Sequence, residues 1–241
     1  MHIFDGLNKA MANFFLLIHD KIVFAVIPNK NLSYGIAIIL FTFLIRTILL
    51  PLNVKQIKTS FKTQEVQPEL KKLQDKYKND PQKLQAETMK LYQEKGINIF
   101  AGCLPMLIQY PILLALFFAF RNIPNLAGVH FLWINDLSKV ANKKDMLSYI
   151  LPILSAITTY LSYTIMNITN NKDNKNTPAD TTNPMSSGSM GIIMSIFMAW
   201  MTTTVSSALA LYWVVGNIFM IGQTQLVKVI IEYEKKKEEK V

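Results

Sequence analysis

Long apolar blocks alternate with polar segments along this chain, which predicts an all-α membrane protein that crosses the bilayer several times. Most of the blocks are close to the ~20 residues that an α-helix needs to cross the hydrocarbon core. The fourth block is short, which implies a locally thin bilayer or a shallow crossing. Five transmembrane helices are predicted, at residues 33–53, 98–120, 147–167, 189–204 and 207–231.

The first 32 residues differ from these blocks because their apolar side chains lie on one helical face. This spacing in residues 1–32 predicts an amphipathic helix in the membrane interface on the extracellular side, with a shallow re-entrant segment as the alternative. The segment ends at the helix-breaking sequence around Pro28. The predicted apolar face consists of Phe4, Leu7, Met11, Phe14, Phe15, Ile18 and Ile22.

Residues 54–97 form the largest polar segment, with ten Lys and six acidic residues. A narrow apolar stripe runs through both halves, so we predict a helical hairpin that packs on itself along one seam. Asp80 and Pro81 suit the N-cap and first position of the second helix, and Gly96 suits its C-terminal cap. Two interpretations of the charged surface stay open: a solvated face, or a docking surface for a partner or for anionic lipid.

Three further polar segments, residues 121–146, 168–188 and 232–241, connect or follow the apolar blocks. With five spans, the hairpin, the flexible loop 168–188 and the C-terminal end share one side of the membrane. That side holds 17 basic residues, Lys228 included, and the opposite side holds seven. Because cytoplasmic segments are enriched in Lys and Arg, we predict that the hairpin and the C-terminal tail are cytoplasmic. The N-terminus and the loop 121–146 are then external.

The composition is that of a membrane protein, and it argues against several classes of function. The chain is 51% hydrophobic and 17% charged, with a net charge of +9, whereas soluble domains have about 25% charged residues. The predicted spans contain no Asp, Glu or His, which argues against a proton-coupled transporter and an intramembrane protease. We expect no catalytic residue, no metal and no cofactor.

Arg46 is the unusual residue of the first span, because it places a positive charge among apolar side chains. A charge in a membrane-spanning helix is costly and by default indicates a function. The helix between Arg46 and Asn53, the next clearly polar residue, places the charge about 10 Å inside the boundary. Two interpretations stay open: the side chain extends to the interface, or it faces a hydrated cavity that opens to the cytoplasm.

Uncharged polar residues at membrane depth are the other candidates for a functional site. Gln109 lies in the second span, Ser195 and Thr202 lie in the fourth, and Trp213 and Asn217 share a stripe of the fifth. Any one of them could be an interhelical hydrogen-bonding contact, worth ~0.6 kcal/mol. Together with an Arg that has no intramembrane counter-ion, they predict a hydrated groove, because the guanidinium needs water or a visiting anion.

Several linked motifs follow one another in order. They are Leu-Ile-Arg46-Thr-Ile-Leu-Leu-Pro-Leu, the basic hairpin, Cys-Leu-Pro-Met-Leu-Ile-Gln109-Tyr-Pro-Ile and Leu-Ala-Leu-Tyr-Trp213-Val-Val-Gly-Asn217. They resemble the YidC/Oxa/Alb family of membrane protein insertases over residues 33–230. Five spans and no large external domain resemble the shorter, Gram-positive-type members.

The resemblance implies an insertase and chaperone of the bacterial plasma membrane, with no enzymatic chemistry. Its groove would be closed to the outside, open to the cytoplasm and the lipid, and lined by Arg46, Gln109 and Trp213. It would receive the polar tail of a client, whose apolar segment then enters lipid along the third and fifth helices. The implied partners are nascent membrane proteins and lipids, with the Sec translocon and the ribosome as further candidates and no nucleotide. The alternative is a small-solute channel or transporter that uses the same groove.

Overall fold

The computed structural model of the protein is a bundle of α-helices, and it describes residues 2–97, 104–123, 125–142, 144–168 and 187–238. The predicted all-α fold is confirmed. The described residues also contain a π-helical turn, His19–Val23, and a 3₁₀ turn, Met146–Tyr149. The α-helices of the described residues are α1 (His2–Ile18), α2 (Phe24–Val26), α3 (Lys30–Ile48), α4 (Leu50–Glu65), α5 (Gln67–Lys76), α6 (Pro81–Glu94), α7 (Leu104–Asn122), α8 (Ile150–Ile168), α9 (Ser187–Thr204) and α10 (Ser207–Glu238).

Three helical stretches of the described residues are long and apolar enough to cross a bilayer: Lys30–Ile48, Met146–Ile165 and Ser207–Tyr233. Gly191–Thr204 is a shorter apolar helix, at the position of the short fourth span. The second predicted span continues as α7, but its residues 98–103 lie outside the described part of the chain, as do most of the loop 168–188 and the end of the tail. The total of five spans therefore stays a prediction.

The helix of the first predicted span is interrupted before residue 53. The helix α3 is capped at its start by the Asn29 side chain, which accepts hydrogen bonds from two backbone N–H groups of the first turn. It ends at Ile48, and α4 begins at Leu50. Pro51 has no N–H to donate to the preceding turn, which explains the interruption. The predicted boundary at residues 53 and 54 therefore falls inside α4.

The hairpin consists of α5 and α6, which pack along the seam that the sequence predicts. Val66 and Leu91 are buried there together with Ile97. The Asp80 carboxylate accepts a hydrogen bond from the Lys83 backbone N–H at 3.0 Å and so caps α6, as predicted. Gly96 follows the helix with a positive φ of 62°, which favours glycine.

The N-terminal helix α1 packs its apolar face against α7 and α3, with Phe15 and Ile18 fully buried. Ile22, which was predicted to lie on the same face, is exposed in the bundle. A π-helical turn contains one residue more than an α-helical turn and rotates the following side chains around the axis. As a result His19 and Val23, rather than Ile22, face the core. The position of this helix in the membrane interface stays a prediction.

The helices α3 and α10 lie side by side and run in the same direction, since Arg46 contacts Gly216 and Asn53 contacts Gln223 further along. We call the end of the bundle where both helices begin the loop end, because the backbone oxygens of Leu137 and Lys139 accept hydrogen bonds there from the start of α10. The opposite end, where α4, α5 and α6 follow α3, is the hairpin end.

Asp136 stabilises the loop at the loop end. Its carboxylate accepts hydrogen bonds from the Ser138 hydroxyl at 2.7 Å and the Ser138 backbone N–H at 2.9 Å, and Lys139 lies 3.3 Å away. Burial raises the pKa of Asp136, but these hydrogen bonds and one from the Gly128 backbone outweigh burial, so the pKa lies below its usual value. The loop is therefore held in part by an ionised carboxylate.

Asp136→Asn is expected to destabilise the protein by ~1–3 kcal/mol at neutral pH. Because the pKa of Asp136 is lower in the folded chain, its stabilisation is complete above the unfolded value of about 3.9 and is lost as the pH falls through the folded value. Thermal unfolding in detergent at neutral and acidic pH measures the difference between wild type and variant. A difference that does not shrink below about pH 3.9 would contradict this role.

Candidate functional site

Arg46 lies in the last turn of α3 and is buried, with only 6% of its surface exposed. Its guanidinium lies against Gly216 of α10, where a Cβ atom added to the glycine would be 2.6 Å from the nearest Arg46 nitrogen, Nη2. Any side chain at position 216 would therefore displace the guanidinium. The glycine allows the charged group to be enclosed between two membrane-length helices.

The Arg46 side chain has no counter-ion among the described residues. Its Nε atom is buried without a protein hydrogen-bond partner there, and so is the hydroxyl group of Tyr212, which is close enough to interact with it electrostatically. A buried charge is costly unless it is paired or hydrogen-bonded. The site is therefore suited to an incoming group with hydrogen-bond acceptors, above all a carboxylate.

A second polar group links α10 to α8 next to this site. The Asn217 side-chain amide donates hydrogen bonds to the hydroxyl oxygens of Thr158 at 3.1 Å and Thr159 at 2.9 Å. The indole N–H of Trp213 donates to Thr159 at 3.4 Å, a longer contact. One turn earlier on α8, the buried Ser155 hydroxyl has no partner among the described residues. These side chains form a polar strip between the two helices.

A third polar group lies at the hairpin end. The Asn53 amide donates a hydrogen bond of 3.2 Å to the side-chain oxygen of Gln223, and both residues are buried. Gln56 and Thr224 are also buried here. The side-chain nitrogen of Gln223 has no hydrogen-bond partner within the described structure. Polar side chains therefore extend from the level of Arg46 toward the hairpin end.

The predicted site residues differ in what the structure places around them. Trp213 and Asn217 form the contacts with α8, and Gln109 of α7 has a buried side-chain nitrogen without a partner among the described residues. Ser195 and Thr202 instead donate to backbone oxygens of their own helix α9, at 2.6 and 2.7 Å. Their hydroxyl groups are thus satisfied locally, as is usual for Ser and Thr in apolar helices.

The sequence prediction missed the polar face of α8, although a signal for it exists. Ser155, Thr158, Thr159 and Ser162 have the i, i+3, i+4 and i+7 spacing of one helical face. The importance of Gly216 was missed as well, because only the packed structure places it against Arg46.

Comparisons with known proteins agree with this architecture. The family model described as 60Kd inner membrane protein matches residues 26–236. The protein named membrane protein insertase YidC of Clostridium tetani is 43% identical over 92% of this chain and 93% of its own length. The YidC of Clostridium perfringens is 42% identical over 97% of this chain and 96% of its own length. The chain belongs to the YidC family of membrane protein insertases.

A crystal structure described as an active YidC insertase with its first transmembrane domain resolved has the same fold, with a TM-score of 0.66 and 28% identity. The match covers 91% of this chain but 45% of the other, so this chain spans about half the length of that YidC. The YidC family is non-enzymatic. The polar side chains of α3, α8 and α10 are accordingly candidates for a binding surface and not for an active site.

Substitution of Gly216 tests the contact with Arg46. Gly216→Ala is expected to slow client insertion and Gly216→Val to slow it further, because a side chain at position 216 displaces the flexible guanidinium from its position. The measurement is the rate of insertion of a single-span client into proteoliposomes that contain each variant.

Gly222→Ala is the matched control, because Gly222 is in the same helix and a Cβ atom there meets nothing within 4 Å. This variant should insert clients as wild type does. An equal loss of insertion rate in Gly216→Ala and Gly222→Ala would contradict the role of the contact, because it would show that any substitution in α10 slows insertion.

Proposed function

We propose that this chain inserts membrane proteins by accepting the polar part of a client in the groove around Arg46 and releasing its apolar segment into lipid. The observation on which the proposal depends is the buried guanidinium of Arg46, which has no counter-ion among the described residues. An acidic or otherwise polar tail supplies the acceptors that this cation lacks. The interaction lowers the cost of bringing that tail into the membrane.

The polar side chains between Arg46 and the hairpin end provide the entry path in this proposal. Asn217, Gln223 and Gln109 carry amide groups, which can donate to and accept from a peptide backbone. Two of these amides, in Gln109 and Gln223, have a buried nitrogen without a partner among the described residues. A client segment that enters from the hairpin end would therefore exchange its hydrogen bonds with water for hydrogen bonds with the groove.

The helices α8 and α10 provide the path of the client's apolar segment into lipid. Both expose large apolar side chains, among them Ile153 and Ile157 on α8 and Ile218 on α10. The short apolar helix Gly191–Thr204 packs against α8 and supports a locally thin bilayer, which would shorten the distance that the client tail crosses. Release along these faces requires no covalent step.

In this proposal the hairpin end faces the cytoplasm, since it carries the hairpin and the larger share of basic residues. Nascent membrane proteins and lipids are the partners, and the Sec translocon and the ribosome are further candidates at the hairpin. The N-terminus is external and the C-terminus cytoplasmic. The membrane is the bacterial plasma membrane.

Charge substitutions at Arg46 test the proposal. Arg46→Glu is expected to reduce insertion of a single-span client with an acidic N-terminal tail by at least about tenfold, since a close charge pair near a protein surface is worth up to ~4 kcal/mol. Arg46→Lys should retain much of the activity, because it keeps the charge. Protease protection of the client tail in proteoliposomes measures insertion.

Arg121→Glu is the control for the charge reversal, because Arg121 is exposed in the last turn of α7 at the loop end. It should leave insertion nearly unchanged. Solute or ion flux through wild-type proteoliposomes, together with no effect of Arg46→Glu on any client, would favour the channel alternative and overturn the proposal.

A further inference from the structure

A cavity of about 450 Å³ lies at the loop end of the bundle, and none of the residues assigned to the groove lines it. It is formed by the loop, by the 3₁₀ turn Met146–Tyr149 and by the last turn of α9. Its volume falls within the range of about 300–1,000 Å³ that is typical of small-molecule sites. The lining residues are Lys139, Val140, Ala141, Asn142, Tyr149 and Thr203. The cavity is therefore a candidate for a second binding site.

Hydrogen bonds hold the wall of this cavity in place. The Lys139 backbone oxygen accepts from the Ser207 N–H at 2.8 Å and from the Ser207 hydroxyl at 2.9 Å, which ties the loop to the start of α10. The Asn142 N–H donates to the Ser148 hydroxyl at 2.9 Å, and the Asp145 N–H donates to the Asn142 oxygen at 2.9 Å. A ligand would therefore bind to a preformed wall, without first having to order the loop.

The polar groups that remain available on the lining residues are mainly hydrogen-bond donors. The Asn142 side-chain oxygen accepts from the Lys144 N–H at 3.1 Å, so its NH₂ group is left to donate. The Tyr149 hydroxyl has no partner among the described residues. The Lys139 ammonium has three N–H groups, and one acceptor, Asp136 Oδ2, lies 3.3 Å away. Donors beside a cation favour an anion with several acceptor oxygens, such as a phosphate group.

Exposed apolar side chains surround these donors, which favours a lipid over a free phosphate ion. Val140 lines the cavity and is exposed, and Met146 and Leu147 are exposed in the same 3₁₀ turn as Tyr149. Trp200, one turn before the cavity on α9, is exposed as well. Aromatic and apolar side chains at such a boundary are typical of the level of the lipid headgroups. The acyl chains of a lipid would cover these side chains, whereas a free ion would leave them in water.

We propose that this cavity binds the headgroup of an anionic phospholipid, with its phosphate at Lys139, Asn142 and Tyr149. Phosphatidylglycerol fits the remaining lining residue. The Thr203 hydroxyl donates its proton to the Trp200 oxygen at 2.7 Å, so it can only accept from a ligand, and the glycerol headgroup carries hydroxyl donors. Because Asp136 offsets part of the Lys139 charge, the affinity is modest.

A headgroup held in this cavity would fix the membrane surface at the end of a short helix. The apolar helix Gly191–Thr204 is about 21 Å long at ~1.5 Å per residue, whereas the hydrocarbon core is ~30 Å thick. A lipid bound beside Thr203 would keep its leaflet at the level of that end and so maintain a thin bilayer. This consequence rests on the proposed function, in which a thin bilayer shortens the path of the client tail, but binding of the lipid does not.

Native mass spectrometry of the full chain in detergent, after addition of dioleoyl phosphatidylglycerol, tests the site. Lys139→Gln is expected to lower the fraction of protein that retains a lipid by about fivefold, the effect of one Lys near an anionic surface. Tyr149→Phe should lower it as well, because it removes a donor. Lys144→Gln is the matched control, since Lys144 is an exposed lysine of the same loop that does not line the cavity. Equal retention in wild type, Lys139→Gln and Tyr149→Phe would overturn the proposal.

Two further ligands test which headgroup binds. Thr203→Val should weaken retention of phosphatidylglycerol but not of dioleoyl phosphatidic acid, which lacks the glycerol hydroxyl groups. An equal loss for both lipids would overturn the role of Thr203 and with it the choice of phosphatidylglycerol. Displacement of the bound lipid by millimolar inorganic phosphate would show a site for free anions and would overturn the lipid site.

Client insertion into phosphatidylglycerol vesicles separates this proposal from the proposed function. Loss of the lipid together with slower insertion in Lys139→Gln would support both the site and its effect on bilayer thickness. Unchanged lipid retention in every variant together with normal insertion by wild type would overturn the lipid site and leave the insertase proposal standing. Lipid retention that depends on Lys139, with no insertion even by wild type, would support the site and overturn the insertase proposal.

Discussion

The Arg46 guanidinium lies directly against Gly216, where α3 and α10 approach each other without an intervening side chain at position 216. A glycine lets the charged group be enclosed between the helices, and enclosure makes the absence of a counter-ion among the described residues energetically important. In water an unpaired Arg is solvated and carries no free-energy penalty. In a membrane bundle the unpaired charge is unfavourable, so it attracts any hydrogen-bond acceptor that can reach it. The hydrogen bonds of Asn217 to Thr158 and Thr159 then hold α8 beside α10 and complete the polar strip.

Buried polar side chains lie on both sides of Arg46 along the bundle axis, with the Ser155 and Tyr212 hydroxyl groups on the side of the loop. On the side of the hairpin, buried amides such as those of Asn53 and Gln223 extend the polar surface. On the side of the loop, residues such as Phe41 and Phe131 belong to one apolar cluster. In the proposed function, the buried amides at the hairpin end admit a polar segment part of the way into the membrane.

The sequence predicted those features that depend on one residue in its local context. Arg46 is conspicuous among apolar neighbours, Asp80 before Pro81 is a strong N-cap signal, and the family motifs follow one another in order. It did not predict features that depend on packing between distant segments: the π-helical turn that buries His19, the burial of Phe131, and the contact of Gly216 with Arg46. The spacing of apolar residues shows which face of a helix is buried, but it does not show which other helix packs against that face. The Ser195 hydroxyl, which was predicted to line the groove, instead donates a hydrogen bond to a backbone oxygen of its own helix.

Site-specific photocrosslinking during insertion tests most directly whether client segments occupy the groove. Crosslinkers at positions 109 and 213 report on the groove, and one at Trp200, which is 63% exposed on α9, reports on an apolar surface outside it. We predict that the polar tail of a stalled single-span client crosslinks from positions 109 and 213 and not from position 200. Crosslinks only from the hairpin, with none from the two groove positions, would contradict the account.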